Sequence, residues 1–244
     1  MPRSRFNRGA LQLALVAVTL ATGCDTLFDI HPGRLEGRPG VGVIGVDCTS
    51  SSTRLAPADG LIADFTGADD GIEIGGELVK YGDKPNSIDG PGSPSYTTTG
   101  GALQITENAP ATPAPRYLGV LISFDGCVDA STFAGVQFSI RDASLGGCTM
   151  VYTTGDVVHQ SATTGLPYAT GAPSAYPPQA TVTTEQTPAT LMMPFVGGPS
   201  GGSPGTPVDT TKLTFVGWQF TVDAAPGGAL PCVADVTVDD VKFY

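Results

Sequence analysis

Residues that could perform acid–base or nucleophilic chemistry are few in this chain of 244 residues. A serine-hydrolase triad needs a histidine base, and the sequence contains only His31 and His159. Asp156 lies three residues before His159, and in an extended strand this spacing points the two side chains to opposite faces. Glycosidases need two carboxylates, and the many acidic residues here form no recognisable catalytic phrase. We therefore expect a protein that is not an enzyme.

Aromatic side chains could bind a sugar by stacking on the C–H-rich face of its ring. Trp218 shares its strand face with Val216 and Phe220, a pattern that predicts a core position. Tyrosines in long, loop-like stretches are the better candidates, although proline-rich loops also use tyrosine for packing. The candidate ligand-binding residues are therefore Tyr81, Tyr96, Tyr168 and Tyr176.

The charge balance limits the classes of partner. The chain has a formal net charge of −11, and removal of residues 1–23 would remove three basic and no acidic residues, leaving −14. Such an acidic chain repels phosphates, so we expect it to bind neither nucleic acids nor anionic lipid head groups. Cations and neutral ligands are favoured instead.

The N-terminus has the pattern of an export signal. Three arginines precede an apolar run from Gly9 to Ala21, which is too short to span a bilayer. The following Leu20–Cys24 stretch, LATGC, resembles the lipobox of bacterial lipoproteins, with Ala21 where Leu, Val or Ile is usual. The resemblance implies cleavage before Cys24 and acylation of Cys24; ordinary secretion is the alternative. The proline- and glycine-containing stretch that follows, up to residue 60, predicts a flexible tether.

The remaining four cysteines fit an exported protein. An even number in an oxidising compartment predicts two disulfides, and four cysteines allow three connectivities. We favour Cys127–Cys148, as a staple between neighbouring strands, and Cys48–Cys232, as a tie between the start and end of the domain.

From residue 61 onwards the pattern is that of an all-β protein. Short β-branched or aromatic runs alternate with turn-rich stretches, and none keeps apolar residues at helical spacing over three turns. In the final run the apolar phase breaks at Asp239–Asp240, which predicts a β-bulge or a change of facing. The predicted strands are residues 61–65, 102–106, 116–124, 135–141, 148–154, 189–195, 213–222 and 233–244.

Several phrases of the chain resemble the galactose-binding-like jelly rolls, which include many carbohydrate-binding modules. They are LIADFTGADDG from Leu61, FDGCVDASTFAGVQFSI from Phe124, DTTKLTFVGWQFTV from Asp209 and ADVTVDDVKFY at the C-terminus. The resemblance implies a two-sheet antiparallel jelly-roll β-sandwich. It also implies that the first and last strands are near each other, which suits Cys48–Cys232.

The same family often holds a structural calcium ion, which sets a further expectation. By the resemblance, Asp64 matches the opening acidic phrase, and Asp239 and Asp240 match the closing acidic pair. Thr66 stands where a glutamate ligand is common. Calcium binds six to eight oxygens and accepts backbone carbonyls, so a structural calcium is one reading, and solvated acids at strand ends are the other.

The expected domain organisation is a signal peptide at 1–23, a lipidated cysteine and tether at 24–60, and a β-sandwich at 61–244. The expected function is a non-catalytic protein of the bacterial cell envelope that binds a soluble glycan. The alternative is a structural or protein-interaction lipoprotein that contacts another envelope protein and binds no sugar. We expect a monomer that contacts the membrane only through its lipid anchor.

Overall fold

The computed structural model describes residues 48, 53–67, 70–82, 93–110, 115–159, 179–182, 188–195, 207–222 and 230–244. Cys24 and the predicted signal peptide lie outside these ranges. The described residues contain no helix that is long and apolar enough to cross a membrane. They form one 3₁₀ turn, Val157–His159, and the strands β1 (Arg54–Leu55), β2 (Leu61–Ala63), β3 (Gly76–Tyr81), β4 (Ser95–Thr98), β5 (Leu103–Ala109), β6 (Arg116–Asp129), β7 (Gly135–Gly146), β8 (Thr149–Asp156), β9 (Gln179–Val182), β10 (Ala189–Pro194), β11 (Leu213–Val222) and β12 (Cys232–Phe243).

The strands form two sheets of six strands each. The first sheet has the order β1–β6–β11–β8–β9, and β3 also pairs with β6. The second sheet has the order β10–β7–β12–β5–β4, and β2 also pairs with β12. The β1–β6 contact is parallel, whereas the other strand pairs are antiparallel. The predicted all-β, two-sheet fold is confirmed.

Strand patterning distinguishes the two sheets. In β5 the residues alternate strictly between buried and exposed, with Leu103 and Ile105 in the core and Gln104 and Thr106 in solvent. This alternation is typical of a sheet with one wet face. By contrast, nine of the ten residues of β11 are buried, so this interior strand of the first sheet is buried on both faces.

The core lies between the inner faces of the two sheets. Phe138 of the second sheet packs edge-on against Trp218 of the first, with ring centroids 5.6 Å apart. Trp218 is fully buried, which confirms its predicted core position. A smaller cluster of Val79, Tyr81, Leu121 and Phe215 lies apart from this core.

Each of the eight predicted strands overlaps an observed strand. Four strands were not predicted: β1, β3, β4 and β9. Of these, β4 contains Tyr96, which the sequence analysis places in a loop-like stretch. The strand was missed because its Ser-Tyr-Thr-Thr sequence has no apolar alternation. The described fold also begins before residue 61, since Arg54 of β1 pairs with Val128.

The four cysteines form two disulfides, but the favoured connectivity is wrong. The bonds are Cys48–Cys127 and Cys148–Cys232, with Cα–Cα distances of 5.4 and 4.9 Å. Cys127 and Cys148 lie beyond opposite ends of β7, whose 12 residues span about 40 Å at the usual rise per residue. Cys232 instead lies beside Cys148, because β12 pairs with the end of β7 at Val233–Gly146.

Candidate functional site

The outer face of the second sheet carries a shallow groove where β7, β10 and β12 meet. It has a volume of about 500 Å³. We call it the Arg141 groove; its lining residues are Ser139, Ile140, Arg141, Pro188, Ala189, Thr190, Asp239 and Asp240.

An ion pair occupies the centre of this groove. The Arg141 guanidinium contacts the Asp239 carboxylate, and the Arg141 side chain is 51% exposed whereas that of Asp239 is 8% exposed. The hydroxyls of Ser139 and Thr190 lie 3.4 Å apart across the β7–β10 pairing. The groove therefore presents donors and acceptors side by side on three strands.

Two irregularities in the β7–β12 pairing shape the groove. Ile140 pairs with Val238 and Asp142 with Thr237, so Arg141 is an extra residue on β7 with no opposite partner. A second register shift falls between Asp239 and Lys242. Here Asp240 has a φ of 51° and its backbone N–H donates to Asp239 Oδ1 at 2.8 Å. The bulge predicted at Asp239–Asp240 is thus confirmed.

Sequence reasoning did not find Arg141, Ser139 or Thr190 as site residues. The signal available was the phase break at Asp239–Asp240, because a bulge bends a strand and redirects its side chains. Arg141 ends an alternating run in which Gln137 and Ser139 share its face. The pairing of β7 with β12, which brings Arg141 to Asp239, could not be read from either run alone.

The predicted calcium ligands have other partners. Asp64 Oδ1 accepts hydrogen bonds from the Thr66 N–H at 2.9 Å and the Thr66 hydroxyl at 2.8 Å. These bonds lower the pKa of Asp64. Asp239 pairs with Arg141 through Oδ2 and accepts the Asp240 N–H at Oδ1.

The pairing of β2 with β12 does bring the chain near Asp64 beside the chain near Asp240, since Ala63 is opposite Val241. However, the described residues contain no group of three or more His, Cys, Asp or Glu side chains that could hold a metal ion. They do not by themselves assemble the predicted site. Calcium binding stays a prediction.

The candidate tyrosines are not a set of exposed loop residues. Tyr81 is the last residue of β3, is 3% exposed, and donates its hydroxyl to Gln219 Oε1 at 3.2 Å. Its predicted loop position is wrong, because Gly119 on the neighbouring strand leaves room for the ring: a Cβ at Gly119 would lie 2.6 Å from Tyr81 Oη. Burial raises the pKa of Tyr81.

Tyr96 lies in β4, where its hydroxyl donates to the Leu78 carbonyl at 3.2 Å. Tyr168 and Tyr176 lie outside the described residues. Both described tyrosines thus lie at strand positions and form hydrogen bonds within the fold. Glycan binding by the four candidate tyrosines stays a prediction.

Asp156 and His159 are in contact, contrary to the expectation of opposite faces. Asp156 ends β8 and a 3₁₀ turn follows at once, so the two residues do not share an extended strand and His159 Nδ1 lies 2.8 Å from Asp156 Oδ1. Both side chains are buried. Asp156 also accepts the backbone N–H groups of Val158 at 2.9 Å and Asp209 at 2.7 Å.

Through these hydrogen bonds the Asp156 carboxylate links the end of β8 to the segment before β11. Burial alone would raise the pKa of Asp156, but the hydrogen bonds from His159 and from the Asp209 backbone oppose it, and the pKa is lowered overall. The carboxylate is therefore held in its charged form.

No known protein family matches the sequence, and no curated protein is significantly similar to it. A solved structure of an exo-beta-agarase is similar with a TM-score of 0.37 and 11% identity, over 76% of this chain and 25% of that chain. The solved structure of PfGH50B is similar with a TM-score of 0.32 and 8% identity, over 68% of this chain and 24% of that chain. This chain thus spans about a quarter of each. Likeness at this level assigns neither a family nor an activity.

Asp156→Asn is expected to lower the free energy of unfolding at neutral pH by about 1–3 kcal/mol, because buried hydrogen-bond donors lose a charged acceptor. A lowered folded-state pKa stabilises the fold above the unfolded-chain pKa of about 3.9. This contribution is lost as the pH falls through the folded-state pKa, so the variant should lose less stability on acidification. Urea unfolding at pH 7 and pH 3 measures both effects.

Asp142→Asn is the control, since Asp142 is exposed on the outer face of the second sheet. An Asp156→Asn protein as stable as the control at pH 7 would contradict the structural role of Asp156.

The calcium prediction is tested by thermal unfolding of the purified protein. Calcium is expected to raise the melting temperature and EDTA to lower it, because an ion that binds only the folded state stabilises that state. Asp64→Asn should remove the response and Asp142→Asn should keep it. A melting temperature unchanged by both additions ends the prediction.

Proposed function

We propose that this chain is a non-catalytic lipoprotein of the bacterial cell envelope whose β-sandwich, a galactose-binding-like jelly roll, binds a soluble glycan. The observation that carries the glycan proposal is the Arg141–Asp239 pair in a groove open to solvent. A guanidinium offers up to five donors in a fixed plane and a carboxylate only acceptors. Adjacent sugar hydroxyls, which both donate and accept, complement such a pair.

The position of the pair on strands favours selective binding. Arg141 and Asp239 lie on neighbouring strands of the sheet, with the Ser139–Thr190 hydroxyls beside them. Polar groups on rigid elements need little reordering when a ligand binds. The net charge of −11 favours a neutral glycan over an anionic one.

The groove lining sets a limit on the kind of glycan. Its eight lining residues include no aromatic side chain, so binding there depends on hydrogen bonds rather than on ring stacking. Hydrogen bonds to charged groups contribute about 1.5–3 kcal/mol each. A short segment or end of a soluble glycan fits this groove better than a crystalline polysaccharide surface.

The envelope location rests on the sequence of the N-terminus and on the disulfides. Two disulfides in a chain of this size are typical of an oxidising compartment outside the cytoplasm. The LATGC stretch supplies the lipid attachment site at Cys24. Several acyl chains, at about 0.8 kcal/mol per buried CH₂, would anchor the protein firmly.

The glycan proposal predicts binding to neutral glycans on an array. Arg141→Ala is expected to weaken binding by at least about tenfold, or about 1.4 kcal/mol. Thr190→Ala, which leaves the ion pair in place, should weaken it less. Equilibrium titration of each variant with the best array ligand gives the ratios.

Arg54→Ala is the matched control, because it removes one exposed positive charge from β1 of the other sheet. Equal melting temperatures show that each variant is folded. Silence across the array, together with capture of an envelope protein, would favour the structural or protein-interaction alternative. Glycan binding unchanged in both groove variants would place the site elsewhere.

The anchor proposal predicts the chemistry of the mature N-terminus. After expression in a bacterium that processes lipoproteins, mass spectrometry is expected to find a chain that begins at an acylated Cys24. Cys24→Ala should abolish acylation and leave both disulfides intact, since neither contains Cys24. An intact leader, or an unmodified Cys24 in the wild-type chain, would contradict the proposal.

A further inference from the structure

Three aromatic side chains meet in the core between the sheets. Trp218 of β11 and Tyr152 of β8 are directly opposite in the antiparallel register. Phe138 of the second sheet contacts both, with ring centroids 5.6 Å from Trp218 and 5.3 Å from Tyr152. Trp218 is fully buried and Tyr152 is 2% exposed.

Two polar atoms of this aromatic cluster have no hydrogen bond. Among the described residues, neither Trp218 Nε1 nor Tyr152 Oη has a partner with hydrogen-bond geometry. The Thr154 hydroxyl does interact with the Tyr152 phenol, and this interaction opposes the rise in the pKa of Tyr152 that burial causes. A buried polar group left unpaired typically costs about 1–3 kcal/mol. Buried polar atoms in native proteins almost always have a partner, either in the protein or in ordered water. The hydroxyls of Tyr81 and Tyr96 follow that rule, since both donate a hydrogen bond.

The geometry restricts what can satisfy both atoms. Residues directly opposite in an antiparallel pair have their Cβ atoms about 4.5–5.5 Å apart, so the indole and the phenol lie on one face as neighbours. The indole N–H only donates, whereas the phenol both donates and accepts. The surrounding side chains belong to the apolar core, which excludes an ion. A small neutral molecule that both accepts and donates would satisfy both atoms.

A third oxygen lies on the same strand face. Thr154 is two residues from Tyr152 on β8 and is 1% exposed. Its hydroxyl donates to the Phe215 carbonyl at 3.0 Å, so its oxygen keeps lone pairs that can accept. Buried water molecules typically make about three hydrogen bonds.

We propose that one water molecule is bound between the sheets, where it accepts the Trp218 indole hydrogen and bonds to Tyr152 Oη. Thr154 Oγ1 supplies the third partner. The water satisfies two polar groups that the apolar core would otherwise leave unpaired. This site is independent of the Arg141 groove, which lies on the outer face of the second sheet.

The single tryptophan makes the site directly observable. Because Trp218 is the only tryptophan, the ¹⁵N-labelled protein gives one indole N–H signal. We expect a cross-relaxation peak between this proton and a long-lived water. Its absence, or a peak to the Tyr152 hydroxyl that indicates a direct bond, would overturn the proposal.

Tyr152→Phe provides a second test through fluorescence. The variant removes one partner of the water, so we expect the water to be lost and the Trp218 emission to shift to shorter wavelength. Tyr96→Phe removes a phenol hydroxyl outside this cluster and should leave the emission unchanged. An unshifted emission in folded Tyr152→Phe contradicts the proposal, and if that variant does not fold, the wild-type cross-relaxation experiment decides alone.

Discussion

The apolar contact between the inner faces of the two sheets is the interaction on which the rest of the structure depends. Neither sheet can bury its inner face without the other. The aromatic contact of Phe138 with Trp218 and Tyr152 joins the middle of one sheet to the middle of the other. These rings lie on β7, β8 and β11. Arg141 of the groove also lies on β7, and Asp156 is the last residue of β8.

The same requirement produces the Arg141 groove. On β12, Val238 and Val241 both face the core although they are three positions apart in the chain. A regular strand cannot place them on one face, since its side chains alternate. The chain resolves this conflict with a bulge at Asp239–Asp240, which leaves Asp239 on the outer face beside Arg141. Core packing and the position of the polar pair are therefore two results of one irregularity.

Much of the fold could be predicted because alternation of apolar and polar residues is a local property. It identified β5, β11 and β12, and it located the bulge. It did not identify β4, in which Tyr96 is the only residue that packs against the core, or β1, which has only two residues. The connectivity of the disulfides needed the direction of β7, which places Cys127 and Cys148 at opposite ends.

The site was harder to predict because it depends on which strands pair. Arg141 and Asp239 are 98 residues apart. The sequence around either residue does not indicate that β7 and β12 pair. Asp156 and His159 were mispredicted although they are close in sequence. The prediction assumed that both lie in one extended strand, whereas His159 lies in a 3₁₀ turn and contacts Asp156. Tyr81 fails for a third reason, since its burial depends on the missing side chain of Gly119.

The Cys48–Cys127 bond has a mechanical consequence. Cys127 belongs to β6, which is hydrogen-bonded to β11 along one edge and to β1 and β3 along the other. A pull on the chain ahead of Cys48 would pass through sulfur into this interior strand rather than into the short strands β1 and β2. Displacing β6 lengthwise would load many hydrogen bonds at once in shear, whereas peeling a terminal strand would break them one after another. The covalent link thus directs tension to β6, a strand that is hydrogen-bonded along both edges.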